Sequence, residues 1–168
     1  MEIEHVIKEY SDYLYRTAYI YVKDLQLAED IVQEVLMKLY ETNTYEGRAS
    51  MKTYVTKMTI NCCYDYLRKQ KLRKFFQFDY FSKAVRATEQ IVIAQHEQDD
   101  ILLNVMQLPL KYREVILYYY YDDLTITEIA SLLQIPASTV TTRLQRAREK
   151  LRKRLPEMDW EVLQDAEF

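Results

Sequence analysis

From Ala28 to Glu41 the apolar residues Ile31, Val32, Val35, Leu36, Leu39 and Tyr40 recur at the three-and-four spacing of one helix face, with polar residues between them. The same period runs from Met51 to about Lys74 through Met51, Val55, Met58, Cys62 and Tyr66, which predicts a second long helix with those side chains inward. Thr42–Ser50 between them is polar and holds Gly47, so it reads as a loop. Ser50 is placed to cap the helix that follows, because its hydroxyl can satisfy a free amide of the first turn. Residues 76–98 lose the period and read as an acidic, partly helical linker. A helical pattern restarts at Asp99–Gln107. Pro109 then suits the first turn of a helix running through Arg113, Val115, Ile116 and Leu117 to Tyr118–Tyr121, before the polar Asp122–Asp123. The four consecutive tyrosines read as helix packing with wetted hydroxyls.

Leu124–Leu155 carries the sharpest local pattern. Thr125 or Thr127 can cap a short helix whose apolar face is Ile126, Ile129, Ala130 and Leu133; Gln134-Ile135-Pro136 follows as a turn. A second helix starts near Ala137 with Val140, Leu144, Ala147 and Leu151 on one narrow stripe. This is the layout of a helix-turn-helix, whose second helix enters the major groove of DNA. Opposite the stripe lie Ser138, Thr141, Thr142, Gln145 and Glu149, flanked by Arg143, Arg146 and Arg148. Short hydroxyls and an amide read base edges, and guanidinium groups at the flanks reach phosphates. Gln134 occupies a turn position where glycine is common, at a cost of about 1 kcal/mol if its φ is positive.

On the 51–74 helix a second stripe, about a third of a turn from the apolar one, holds Tyr54, Lys57, Asn61, Tyr64 and Arg68. Rings that stack on unpaired bases, an amide that reads an edge and cations that hold the backbone are the groups single-stranded nucleic acid requires. On the 28–41 helix Asp30, Gln33, Glu34, Lys38 and Glu41 lie opposite the apolar face. Asp30 and Glu34, four apart, could form a metal pair or acid–base couple, but no histidine or further carboxylate is placed to complete one; a solvated face or a protein-docking surface are the other readings, and composition does not choose among them.

Composition narrows the classes. A chain of 168 residues, 49% hydrophobic and 29% charged, can bury a core. One glycine and three prolines argue against a turn-rich all-β fold and every glycine-rich phosphate loop. Adjacent Cys62 and Cys63 and the distant His5 and His96 compose neither a zinc cluster nor a disulfide framework, so two buried thiols in a reduced, cytoplasmic compartment are expected. No metal, cofactor or catalytic group is expected either. No apolar run reaches the length of a membrane span, and Met1–Tyr10 carries charges where a signal peptide needs an apolar core, so neither membrane insertion nor export is expected.

The formal charge of −3 speaks against a nucleic-acid partner until it is divided along the chain. Residues 1–50 carry a net −5, 51–75 a net +6, 76–110 a net −3, 111–155 a net +4 and 156–168 a net −5. Two basic blocks separated by acidic ones suit two separate polyanion contacts.

The segments AEDIVQEVLMKLYE (28–41), MKTYVTKMTINCCYDYLRKQKLRK (51–74), LPLKYREVILYYYYDDLTITEIA (108–130) and STVTTRLQRAREKL (138–151) together resemble an RNA polymerase sigma factor of the extracytoplasmic-function group. The resemblance implies an all-α protein of two small helical domains joined by a linker, the C-terminal one a helix-turn-helix. The expected boundaries are 1–75 for polymerase docking and promoter melting, 76–98 for the linker, 99–155 for the helix-turn-helix domain and 156–168 for an acidic tail. It implies docking of Asp30, Gln33 and Glu34 on the clamp helices of core RNA polymerase. Tyr54, Lys57, Asn61 and Arg68 would serve melting at the minus-ten element, with Asn61 beside the pocket for a flipped base. Ser138, Thr141, Thr142, Arg143, Gln145 and Arg146 would serve the minus-thirty-five element. Core polymerase, promoter DNA and an anti-sigma factor are the implied partners. Tyr54 departs from the family's usual tryptophan and Gln134 from its common glycine. From the residues alone, two rivals remain: a helix-turn-helix regulator that binds duplex DNA without polymerase, and a helical adaptor for acidic proteins.

Overall fold

The computed structural model describes residues 3–42, 45, 47, 49–76 and 98–155, and every regular element among them is an α-helix. In chain order these are α1 (Ile3–Val22), α2 (Leu25–Thr42), α3 (Met51–Phe76), α4 (Gln98–Met106), α5 (Leu110–Tyr120), α6 (Ile126–Leu133) and α7 (Ala137–Arg154). The chain divides into two compact units, Met1–Gln90 and Ile91–Phe168. The expected linker, beyond the ends of α3 and α4, and the acidic tail lie outside the described residues. No helix among the described residues is long and apolar enough to cross a membrane.

In the first unit α1, α2 and α3 each pack on the other two. The sequence pattern assigned no inward face to α1, yet this helix supplies Val6, Leu14, Ala18 and Tyr21 to the core. It ends at Lys23, whose backbone is left-handed (φ 56°) and whose N–H donates to the Tyr19 carbonyl at 2.9 Å. Asp24 then starts α2, its Oδ1 accepting from the Leu27 N–H at 2.9 Å. Ile31, Val32, Val35 and Leu39 of α2 are buried as expected, but Tyr40, grouped with them by spacing, is 72% exposed.

The register of α3 differs more. Its N-terminus is capped as expected, the Thr53 N–H donating to Ser50 Oγ at 3.1 Å. Its buried ridge, however, is Val55, Thr56, Thr59, Ile60 and Cys63, whereas Met51, Met58, Cys62 and Tyr66 are only half-buried. At 3.6 residues per turn this ridge lies about a quarter turn from the expected one. Threonine makes the difference. The Thr56 hydroxyl donates to the Lys52 carbonyl at 2.6 Å and the Thr59 hydroxyl to the Val55 carbonyl at 2.9 Å. With its polar atom satisfied on its own helix, each side chain packs as a small apolar one.

In the second unit α5 packs on α4, α6 and α7, and α7 also packs on α4 and α6. The α7 stripe of Val140, Leu144, Ala147 and Leu151 is buried throughout. On α6 the fully buried residues are Ile129 and Leu132, while Ile126, Ala130 and Leu133 are half-buried. Thr125 caps α6 in a reciprocal box: Glu128 N–H donates to Thr125 Oγ1 at 3.3 Å and Thr125 N–H to Glu128 Oε2 at 2.9 Å. The Thr125 hydroxyl and N–H hold the Glu128 carboxyl below the ordinary glutamate value.

The turn between α6 and α7 is closed by Gln134 in left-handed backbone (φ 55°, ψ 44°), with Ile135 N–H donating to the Ala130 carbonyl at 3.1 Å. A side chain in this conformation is strained where glycine is not. Gln134→Gly is therefore expected to stabilise the chain by about 1 kcal/mol, read as a higher urea midpoint at unchanged m-value. A lower midpoint would contradict the strain.

Candidate functional site

Three outward faces carry the residues singled out in the sequence, two on the first unit and one on the second. On α2, Asp30, Gln33 and Glu34 are all exposed. Asp30 Oδ1 accepts from Gln26 Nε2 at 3.4 Å, and Glu34 pairs with Lys38 one turn on. Met37, 62% exposed, stands among these polar groups, with Tyr40 beside them. Spacing could have found Met37, which lies between Gln33, Glu34 and Glu41 on the helix surface. An apolar side chain ringed by carboxylates and amides suits a protein contact better than a solvated face does.

On α3, Tyr54, Lys57, Asn61, Tyr64 and Arg68 form one ridge. Because the buried ridge is rotated from the expected one, this ridge points almost directly away from the core. Asn61, Tyr64 and Arg68 are exposed, while Tyr54 and Lys57 are half-buried. The Tyr54 ring leans on Tyr45 (centroids 5.4 Å apart, planes at 56°), and the Tyr45 hydroxyl donates to the Ala49 carbonyl at 2.6 Å. Tyr64 meets the buried Tyr21 edge to face at 5.4 Å. Both rings are thereby held rather than free to rotate. Arg68 Nη1 lies 3.3 Å from Asp65 Oδ1 in an exposed pair, a geometry that contributes little to stability.

The two cysteines differ from each other. Burial pushes the Cys63 thiol up to about 12, so it stays neutral, as expected of a core residue. Cys62 is only half-buried, contrary to expectation, and accepts from Lys38 Nζ at 3.6 Å. Burial raises its pKa despite Lys38, so it too favours the neutral thiol. Lys38 thus touches both Glu34 on the α2 face and the residue next to Asn61 on α3. Among the described residues no group of histidine, cysteine and carboxylate side chains could hold a metal.

On α7, Ser138, Thr142 and Gln145 are exposed and Thr141 is half-buried. The Thr141 and Thr142 hydroxyls donate to the Ala137 and Ser138 carbonyls at 3.2 and 2.8 Å, leaving oxygen lone pairs outward. Arg146 is exposed beside them. Arg143 differs from its expected place as a free phosphate contact: its Nη1 donates to Glu114 Oε1 at 2.8 Å, and the Glu114 side chain is wholly buried. Arg148 is also turned inward, its Nε donating to the Tyr120 hydroxyl at 2.8 Å and its guanidinium lying over the Tyr119 ring. Within the tyrosine run Tyr118 is buried, Tyr119 and Tyr120 are half-buried, and Tyr121 is exposed.

Residues 6–73 match the model of sigma-70 region 2, and residues 99–151 that of sigma-70 region 4. RNA polymerase sigma factor SigV of Bacillus subtilis is 30% identical, over 91% of this chain and 90% of its own length. ECF RNA polymerase sigma factor SigW of the same organism is 29% identical, over 91% and 88%. The chain belongs to the extracytoplasmic-function group of sigma factors. Sigma factors are transcription-initiation factors, and this one has the two-region order of its group on α1–α3 and α4–α7. Its fold is that of solved relatives. The sigma factor RpoE in complex with the anti-sigma factor NepR from Bartonella quintana has a TM-score of 0.75 at 20% identity, covering 93% of this chain and 97% of that one. CnrH, solved with the cytosolic domain of CnrY, has a TM-score of 0.63 at 18% identity, over 92% and 88%.

Proposed function

We propose that this sigma factor works with three faces: α2 docks core RNA polymerase, the α3 ridge holds the opened minus-ten strand, and the α7 ridge reads the minus-thirty-five element. Asp30, Gln33 and Glu34 supply the polar contacts of the first face, with Met37 as its apolar centre. Tyr54 and Tyr64 offer rings for stacking, Asn61 offers an amide to an extruded base, and Lys57 and Arg68 face the backbone. Ser138, Thr141, Thr142 and Gln145 face base edges and Arg146 a phosphate. Arg143 acts as a strut beneath this ridge. The working boundaries are 1–75, 76–98, 99–155 and 156–168.

The observation that carries this reading is the α3 ridge. Amide, ring and cation groups stand in one row opposite the buried face, on the helix adjoining the acidic α2 surface. The chain performs no covalent chemistry itself; binding energy released on strand capture offsets the cost of unstacking, a few kcal/mol per base. It acts in the cytoplasm, where an anti-sigma protein, as NepR is to RpoE, holds it in check.

Run-off transcription from a promoter library, with core polymerase and this chain, tests the whole reading: sequence-selective transcripts are expected only when both are present. Within that assay Gln145→Ala is expected to change the preferred upstream sequence, and Arg146→Ala to weaken all promoters alike with a salt slope reduced by about 1. An unchanged preference with Gln145→Ala would count against base reading there.

A further inference from the structure

The basic side chains of the second unit fall into two groups. Arg113, Arg143, Arg148 and Arg154 are held within the unit, by the Met106 carbonyl, by Glu114, by Tyr120, and by the Asn104 carbonyl with Gln107 Oε1. Lys111, Arg146, Lys150, Arg152 and Lys153 are instead exposed, and none has an ion-pair partner among the described residues. Of these, Lys111 and Lys150 stand against one buried side chain, with Arg146 one turn before Lys150. Lys111 Nζ lies 5.1 Å and Lys150 Nζ 5.8 Å from the centre of the Tyr112 ring. Burial pushes the Tyr112 phenol up, but Arg146 and Lys111 outweigh it, so its pKa falls below the ordinary tyrosine value.

Three cations gathered from the first turn of α5 and the C-terminal half of α7 repel one another unless an anion joins them. We propose that Lys111, Tyr112, Arg146 and Lys150 form a site for a DNA backbone phosphate, set outside the base-reading ridge of α7. The proposal rests on the reading of α7 as the DNA-facing helix and adds Lys111, Tyr112 and Lys150 to it. Arg146 follows Gln145 directly, and Lys150 lies one turn further along the same flank, about 6 Å away. The strand bordering the groove that receives Gln145 would run past this flank. The Tyr112 ring backs Lys111 and Lys150. A phosphate fits better than an acidic protein surface, because the ring is buried and the cluster presents charge with no exposed apolar anchor.

The test titrates the full chain with a short duplex of random sequence by fluorescence anisotropy across a low-salt series, so that only backbone contacts are read. The double variant Lys111→Gln/Lys150→Gln changes exposed residues and is expected to bind about tenfold more weakly, with the slope of log K against log salt reduced by about 1. Tyr112→Phe keeps the ring and is expected to weaken binding to a smaller extent. An unchanged slope in the double variant, with firm wild-type binding, would overturn the site and leave the α7 reading standing. No duplex binding by the wild-type chain would overturn both. An unchanged slope together with lost capture of core polymerase would overturn the phosphate and assign the cluster to an acidic protein face.

Discussion

Glu114→Ala is expected to destabilise the chain by about 3 kcal/mol, a large fraction of the stability of a small domain. The carboxylate is fully buried on α5 and pairs with Arg143, which retains about a quarter of its exposure. Removing the anion leaves a guanidinium held in low dielectric without its counter-charge, and the water that reaches Arg143 keeps the loss toward the lower end for a buried pair. The pair joins α5 to the middle of α7, so its loss also frees the rotation of the helix that bears Thr142 and Gln145. Urea unfolding of Glu114→Ala, Arg143→Ala and the double variant gives the coupling directly. Additive losses would mean that the two side chains act independently. A second check is promoter preference: the single variants are expected to blur it even where they remain folded, because the reading ridge is no longer held at one angle.

Asn61→Ala is expected to slow open-complex formation tenfold or more while leaving core-polymerase binding within about twofold. The side chain is exposed and takes no part in the core, so its loss should leave thermal unfolding unchanged. Its proposed work begins only when a base leaves the duplex: leaving a base edge unsatisfied in a closed pocket costs about 1–3 kcal/mol, and about 1.4 kcal/mol is tenfold. Permanganate reactivity of the melted strand, set beside capture of labelled polymerase, separates the two steps. Equal loss in both assays would mean that Asn61 serves docking rather than melting.

Periodicity reads α7 correctly because its inward residues are all apolar and evenly spaced; Val140, Leu144, Ala147 and Leu151 are each at most 3% exposed. It misplaces the inward face of α3 because two of the five buried positions are threonines, and a hydroxyl bonded to its own helix is polar in the alphabet but not in the core. Tyr40 fails in the other direction. An aromatic residue at the edge of an apolar face can turn either way, and spacing cannot say which. For the candidate sites, the ridge residues of α2, α3 and α7 are legible from spacing. Their supports are not. Glu114 beneath Arg143 and Tyr112 against Lys150 are contacts between helices, and Tyr45 beside Tyr54 is one between a loop and a helix; all depend on how the chain packs.

With a single glycine in the chain, other residues occupy left-handed backbone at Lys23, Asp123 and Gln134. Each keeps a small strain that packing must overcome, and together they hold the folded state below the stability its core could support. For a transcription factor this bears on lifetime. A change of 1 kcal/mol alters the unfolded fraction about fivefold, and proteases draw on that fraction when opening is fast. The bends between helices therefore set part of the unfolded fraction on which proteases draw, and glycine at any of the three is expected to lengthen the life of the protein.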